Sequence, residues 1–222
     1  FENLVRLGVT LDQMIAEANL DAVAIRCWTE IQLQMGISPC VAMGALNELG
    51  TAAACEVDLG NAVAMRAMHL ASYQPVGLLD WNNNYYDEDD KCILFHCGPL
   101  PASMMEGDSR VTDHAILMSS VGEGNAYGCN QGRIRPMDFT FSSLMTDEGR
   151  VKMYLGEGRF TTDPIPANFF GVAGVAEIPN LQDVLLHIGK QGHRHHVSIT
   201  PGRLIQPMAE ALGHYLEFDM AV

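Results

Sequence analysis

The spacing of apolar segments changes at about residue 75, and this change constrains the fold more than any other feature. Before it, helical stretches alternate with two short apolar runs, DAVAIRCW and TAAACEVD. Ala24 in the first run and Ala54 in the second are 30 residues apart (54 − 24 = 30), about the length of one strand–helix–strand unit. Residues 1–75 therefore predict parallel strands joined by helices, as in the end of a doubly wound α/β domain.

Residues 76–178 contain short β-like segments between turns rich in Gly, Asp, Asn and Pro. The segments are PVGLLDW, KCILFHCG, HAILMSSV, GRIRPMDFTFSSL, RVKMYLGEGRF and FFGVAGVAEI. Short strands at even spacing are typical of an antiparallel sandwich or barrel. After them we expect a helix over about 180–190, a strand at HHVSIT and a closing helix over about 203–217.

The charge balance argues against two classes of partner. The chain has 27 acidic and 13 basic residues, a formal net charge of −14, whereas nucleic acids and anionic membranes are bound through clustered Lys and Arg. No apolar run reaches the roughly 18 residues of a membrane span. The six cysteines form no CxxC pair, so we expect reduced thiols in a cytoplasmic protein. Because the chain begins with Phe1, we expect it to be part of a longer protein.

Three carboxylates stand where apolar runs end. Glu56 and Asp58 follow TAAAC, and Asp80 follows PVGLL. Ligands of open α/β sheets bind just beyond the carboxyl ends of the strands. Asp58 directly precedes the helical LGNAVAMRAM, which favours an N-cap, so we assign Asp58 to capping and Glu56 and Asp80 to function.

Histidines occur in two places that could join these carboxylates. In LFHCGPLP, alternation points His96 away from Phe95 and Cys97, although a core histidine bonded to a backbone carbonyl would give the same pattern. In QGHRHHVSITPG, alternation separates His196 from His193 and His195, which could simply form an exposed cluster. Carboxylates and imidazoles together favour a hard-to-borderline divalent cation such as Mn²⁺ over a zinc–thiolate site.

Several stretches carry a resemblance to a known family. They are AIRCWTEIQLQMGISPCVAMGALNELGTAAACEVDLGNAVAM, GLLDWNNNY, ILFHCGPLP, QGRIRPMDFTFSSL and GHRHHVSITPG. From about residue 20 onward the chain resembles the L-fucose isomerase-like family, which shares its fold with the L-arabinose isomerases. The resemblance implies that residues 1–75 are the C-terminal part of an α/β domain. It also implies that residues 76–222 form a mainly antiparallel β-barrel domain with a C-terminal helix.

The resemblance also implies an activity and a set of site residues. Members are metal-dependent aldose–ketose isomerases that act through an enediol. Glu56 and Asp80 match the two carboxylates that bind the cation and serve as acid/base catalysts, and His196 matches the late histidine ligand. His96 matches a further ligand used by the arabinose isomerase branch and not by the fucose isomerase branch. The implied cofactor is Mn²⁺ or another divalent cation, the implied partner a small aldose or ketose, and the implied assembly a trimer or hexamer.

Two other functions stay open at this point. One is a catalytically silent sugar-binding or regulatory protein with the same fold. The other is a structural assembly module. The presence of Glu56, Asp80 and His196 together counts against the silent protein.

Overall fold

The computed structural model describes residues 1–167 and 169–221. Its first part contains four helices and two strands in alternation. They are α1 (Glu2–Ala18), β1 (Ala22–Ile25), α2 (Glu30–Met35), α3 (Cys40–Glu48), β2 (Ala52–Cys55) and α4 (Leu59–Ser72).

The two strands of this part are parallel neighbours in a sheet of their own. Ala24 pairs with Ala54, so the parallel pairing predicted from their spacing is confirmed. That these strands are the end of a larger doubly wound domain stays a prediction, as does a domain boundary near residue 75.

The second part is rich in strands. Its first half comprises β3 (Gly77–Tyr85), β4 (Glu88–His96), β5 (Met105–Asp113), α5 (Ala115–Val121), β6 (Tyr127–Ile134) and β7 (Met137–Asp147). Its second half comprises β8 (Arg150–Phe160), β9 (Val172–Glu177), α6 (Leu181–Gln191), β10 (His196–Pro201), α7 (Ile205–Met208) and β11 (Asp219–Ala221). A π-helical segment, Ala209–Tyr215, continues α7.

Six of these strands close into an antiparallel barrel in the order β8, β7, β10, β3, β4, β9, with β9 returning to β8. Every neighbouring pair in this ring is antiparallel. The barrel and the C-terminal helix are therefore confirmed. Strands β6 and β5 extend the sheet beside β9, and β11 runs parallel to β8.

Several local predictions were wrong. GRIRPMDFTFSSL, expected as one strand, contains the end of β6 and most of β7, and strand β5 was not predicted. HAILMSSV, expected as a strand, is helix α5, capped where the Leu117 amide N–H approaches Nδ1 of His114. Periodicity cannot distinguish so short an apolar run in a strand from one in a helix. Asp80, expected at the end of a strand, lies inside β3, because pairing with β4 and β10 continues the strand beyond the apolar run.

Helix α4 joins the two parts of the molecule. It packs against β10 and β7, and its Ala62 and Met65 share a buried apolar cluster with Leu78 and Leu155 of the barrel. The first turn of α4 therefore lies beside the beginning of β10. No helix within the described ranges is long and apolar enough to cross a membrane.

Candidate metal and catalytic site

His196 and Asp80 are opposite one another on adjacent strands. His196 begins β10, Asp80 lies in β3, and the antiparallel register pairs them directly. Directly paired residues project their side chains to the same face, and Nε2 of His196 lies 3.6 Å from Oδ1 of Asp80. The register of the barrel thus brings two of the predicted site residues together.

Glu56 reaches the same place from the α/β part. It follows β2 in a turn in which the Asp58 N–H donates to the Cys55 carbonyl at 3.1 Å. Both central residues have positive φ, 57° at Glu56 and 59° at Val57, a region that non-glycine residues rarely occupy. The turn brings Oε2 of Glu56 to 3.7 Å from Nε2 of His196.

Asp58 has a contact that the sequence did not reveal. Its predicted capping role is confirmed, since the Asn61 N–H donates to Oδ1 at 3.0 Å. Its other oxygen, Oδ2, lies 2.8 Å from Nδ1 of His196 and also accepts from the Asn61 amide at 2.7 Å. A carboxylate accepts and does not donate, so Nδ1 of His196 carries a proton, and in the neutral ring the Nε2 lone pair faces Asp80 and Glu56.

Three buried polar atoms meet here without a hydrogen-bond partner. They are Oδ1 of Asp80, Nε2 of His96 and Nε2 of His196. Each of the three residues offers one ligand atom, and these atoms lie within 4.8 Å of one another. Because buried polar groups without partners are rare in folded proteins, these atoms mark a position that suits a bound cation or a further hydrogen bond. Glu56, His195 and His196 form an overlapping group with the same spacing.

The other two histidines of the triplet are placed differently. His195 is largely exposed and extends toward the same carboxylate, with its Nε2 3.6 Å from Oδ1 of Asp80. His193 packs edge-on against Tyr154, with ring centroids 4.8 Å apart. His196, with a side chain 4% exposed, is the buried member of the triplet.

The surroundings shift the protonation of the two aspartates in opposite directions. Burial, reinforced by Glu56 and opposed by His196, raises the pKa of Asp80 to about 7. At Asp58 burial alone would raise the pKa, but hydrogen bonds from His196 and Asn61 outweigh it and lower the pKa to about 2. Asp80 can therefore gain or lose a proton near neutral pH, whereas Asp58 stays ionised.

The two buried histidines also differ. Burial, followed by the repulsion of His196, lowers the pKa of His96 to about 3. Burial would lower the pKa of His196 as well, but its hydrogen bond to Asp58 and the nearby charge of Asp80 outweigh burial and raise it.

A cluster of buried thiols lies next to His96. Sγ of Cys55 and Sγ of Cys97 lie within 4.8 Å of a ring nitrogen of His96, and Sγ of Cys27 is 2.9 Å from Sγ of Cys55. Contact with the Cys55 thiol and burial raise the pKa of Cys27, and contact with the Cys40 thiol and burial raise the pKa of Cys97. Protonated thiols bind cations poorly, so the carboxylate and imidazole group is the better cation site.

A separate cavity of about 930 Å³ lies between β8 and α6. Phe141, Tyr154, Glu157 and His187 are among its lining residues. Glu56, Asp80, His96 and His196 do not line it, so it lies apart from the candidate site.

The sequence is similar to a known protein family and to several curated proteins. Residues 94–222, more than half of the chain, match the family described as L-fucose isomerase, C-terminal domain. The chain is 22% identical over 210 residues to a sulfoquinovose isomerase of Priestia aryabhattai and, equally, to one of Priestia megaterium. Both matches cover 94% of this chain and 45% of the relative.

A third relative matches a shorter stretch. A sulfoquinovose isomerase of Alkalicoccus urumqiensis is 31% identical over 86 residues, which is 39% of this chain and 19% of the relative. This chain thus spans less than half the length of the curated relatives that it matches. On the match over residues 94–222 and the closed six-stranded barrel, the chain belongs to the L-fucose isomerase C-terminal domain family, a family of sugar isomerases.

Proposed function

We propose that this chain is the C-terminal portion of a metal-dependent aldose–ketose isomerase. The proposal rests on the close approach of Glu56, Asp80 and His196, which come from three separate elements. Oδ1 of Asp80 and Nε2 of His196 are buried there without a hydrogen-bond partner. A carboxylate pair with one imidazole suits Mn²⁺ or a similar divalent cation. When bound, such a cation would polarise the sugar carbonyl and stabilise negative charge on its oxygens.

The reaction needs groups that move protons. Aldose–ketose conversion transfers one proton between C1 and C2 and another between O1 and O2, with an enediol between the two steps. We assign these transfers to Glu56 and Asp80, the two carboxylates nearest to Nε2 of His196, as general acid–base catalysis requires. Glu56, with a side chain 39% exposed, contacts Nε2 of His196, whereas Asp58 contacts Nδ1. Its exposure would let Glu56 meet a sugar that enters from solvent.

His196 has a fixed role in this arrangement. Asp58 holds its Nδ1 proton, so its Nε2 offers a lone pair toward the cation position. The ring therefore binds and does not shuttle protons. This leaves the proton transfers to the two carboxylates.

The names of the relatives and of the family suggest which sugars could be substrates. The relatives are named sulfoquinovose isomerases, and the family name is that of L-fucose isomerase. We therefore propose L-fucose, D-arabinose, L-arabinose and sulfoquinovose as the substrates to be tested.

The apolar side chains that remain exposed, among them Leu33, Leu49, Val63 and Leu70, support a homo-oligomer, and we propose a trimer or hexamer.

The test uses the full-length protein that contains this chain. After treatment with chelator, the protein would be incubated with each sugar with and without Mn²⁺ in deuterated water. The proposal predicts Mn²⁺-dependent ketose formation and deuterium uptake from at least one sugar. Glu56→Gln should abolish both, whereas Glu210→Gln, an exposed control in the C-terminal helical segment, should not.

No ketose and no deuterium uptake with any sugar, from a protein that does bind Mn²⁺, would overturn the isomerase assignment. Sugar binding without turnover would instead support a silent sugar-binding protein. Activity that is unaffected by chelation would overturn the metal dependence.

A further inference from the structure

His96 is buried at the end of β4, 1% exposed, and lies beside both Asp80 and His196. Its ring lies roughly parallel to that of His196, with centroids 5.6 Å apart and an interplanar angle of 30°. Its Nε2 lies 4.0 Å from Oδ1 of Asp80 and has no hydrogen-bond partner. By distance alone, His96 is as good a cation ligand as its neighbour.

The other ring nitrogen of His96, Nδ1, decides whether Nε2 can act as a metal ligand or as a hydrogen-bond donor. The backbone N–H of Cys97 donates to Nδ1 of His96 at 2.8 Å. A nitrogen that accepts a hydrogen bond carries a lone pair and no proton, so the proton of the neutral ring resides on Nε2. The Cys97 thiol lies 3.1 Å from the same Nδ1 and can also donate to its lone pair.

His196 is in the opposite tautomer. Its Nδ1 lies 2.8 Å from a carboxylate oxygen of Asp58, which can only accept, so its proton is on Nδ1 and its Nε2 is free to bind a cation. Two stacked imidazoles therefore present different atoms to Asp80. His196 presents a lone pair and His96 presents an N–H.

We propose that His96 is a positioning residue that donates a hydrogen bond from Nε2 to Asp80, and that it is not a metal ligand. To bind a cation, Nε2 of His96 would have to give up its proton. A proton moved to Nδ1 would then break the hydrogen bond from the Cys97 amide. Donation to Oδ1 of Asp80 requires only that the 4.0 Å separation shorten by about 1 Å. In this arrangement Asp58 orients His196 and His96 orients Asp80.

This inference rests on the proposed function for the identity of the site, but its direct test does not. Long-range ¹H–¹⁵N NMR of the metal-free full-length protein would report which nitrogen of each ring is protonated. We expect a proton on Nε2 of His96 and on Nδ1 of His196. Adding ¹¹³Cd²⁺ should produce coupling to Nε2 of His196 and leave the N–H of His96 in place.

A variant series supplies a second readout, cation affinity. Gln places an amide N–H close to the position of Nε2, so His96→Gln should keep one bound cation per chain with affinity within about tenfold of the unsubstituted chain. His96→Ala should lose about 10- to 100-fold, as outer-sphere partners do. His196→Gln, the matched control, should lose at least as much as His96→Ala.

Two results would overturn the proposal: an unprotonated Nε2 on His96, or coupling between it and ¹¹³Cd²⁺. Loss of the cation from His96→Gln as complete as from His196→Gln would also overturn it, provided that both variants melt as folded proteins. If neither the variants nor the unsubstituted protein bound a cation, the proposed metal dependence would be wrong. The NMR tautomer of His96 would still decide this inference.

Discussion

Nδ1 of His196 lies 2.8 Å from Oδ2 of Asp58, so the residue that caps α4 also fixes an imidazole on a barrel strand. The two residues are 138 positions apart in sequence. The cap and the imidazole share one carboxylate, and Asn61 donates to both of its oxygens. The candidate site is therefore built on the contact between the α/β part and the barrel.

This relationship predicts that capping and cation binding can be separated at Asp58. In Asp58→Asn the amide oxygen can keep the cap, since Asn is as good an N-cap as Asp. The new NH2 group would face the Nδ1 proton of His196 and the Asn61 amide, so the free energy of unfolding should fall by about 1–3 kcal/mol. The loss of the negative charge beside His196 should weaken cation binding about 10- to 100-fold. Calorimetric titration with Mn²⁺ and thermal unfolding measure the two effects.

Asp183→Asn is the matched control, because Asp183 is an exposed acid in the first turn of α6. It should leave cation affinity unchanged. Equal affinity of Asp58→Asn and the unsubstituted chain would contradict a positioning role for Asp58.

Cation binding should weaken in acid because Asp80 must lose a proton to bind. Its pKa in the metal-free chain is about 7, so above pH 7 the carboxylate is already ionised and below pH 7 the cation has to displace a proton. The dissociation constant should therefore rise by at least about tenfold per pH unit below 7 and level off above it. A dissociation constant that did not change between pH 5.5 and 7 would refute this account of Asp80.

A side chain at Gly171 should destabilise the fold, because the backbone of His96 lies next to it. Gly171 has a φ of +68°, and a Cβ there would lie 2.3 Å from the His96 carbonyl oxygen. Gly149 has a similar φ of +74° but open space around it, so Gly149→Ala isolates the cost of the left-handed backbone, about 1–2 kcal/mol.

Gly171→Ala should cost about 1–3 kcal/mol more than Gly149→Ala, because the backbone must move to admit the methyl group. Urea unfolding of the two variants gives the difference directly. Equal destabilisation would mean that the contact with His96 relaxes at no cost.

The three histidines of the triplet should differ sharply on substitution. His196→Ala should remove most of the bound cation and the turnover, since Nε2 of His196 lies within 4 Å of both Glu56 and Asp80. His193→Ala should be mild, within about 10- to 100-fold, because His193 contacts Tyr154 and not the carboxylates. The opposite order of effects, measured as metal content and turnover, would mean that the wrong histidine has been assigned.

The sequence predicts those parts of the fold that depend on local spacing. The parallel pair formed by Ala24 and Ala54 follows from their separation, and the barrel strands follow from short apolar runs between turns. HAILMSSV was predicted wrongly because the helix depends on a cap at His114 that the apolar pattern does not reveal.

The site was predicted only in part because its contacts join distant residues. Strand ends and family resemblance pointed to Glu56, Asp80, His96 and His196, and the structure brings their side chains together. The contact of Asp58 with His196 depends on how α4 packs on β10. The tautomer of His96 depends on the direction of the Cys97 amide. Neither is encoded in a local pattern.

Glu56, Asp80 and His196 should together hold one divalent cation. Anomalous diffraction from crystals grown with Mn²⁺ tests it most directly, since manganese scatters anomalously and the protein's light atoms scarcely do. We expect one strong peak bounded by Glu56, Asp80 and Nε2 of His196, and no such peak in crystals of His196→Gln. A peak at the buried thiols, or none at these three residues under saturating Mn²⁺, would contradict it.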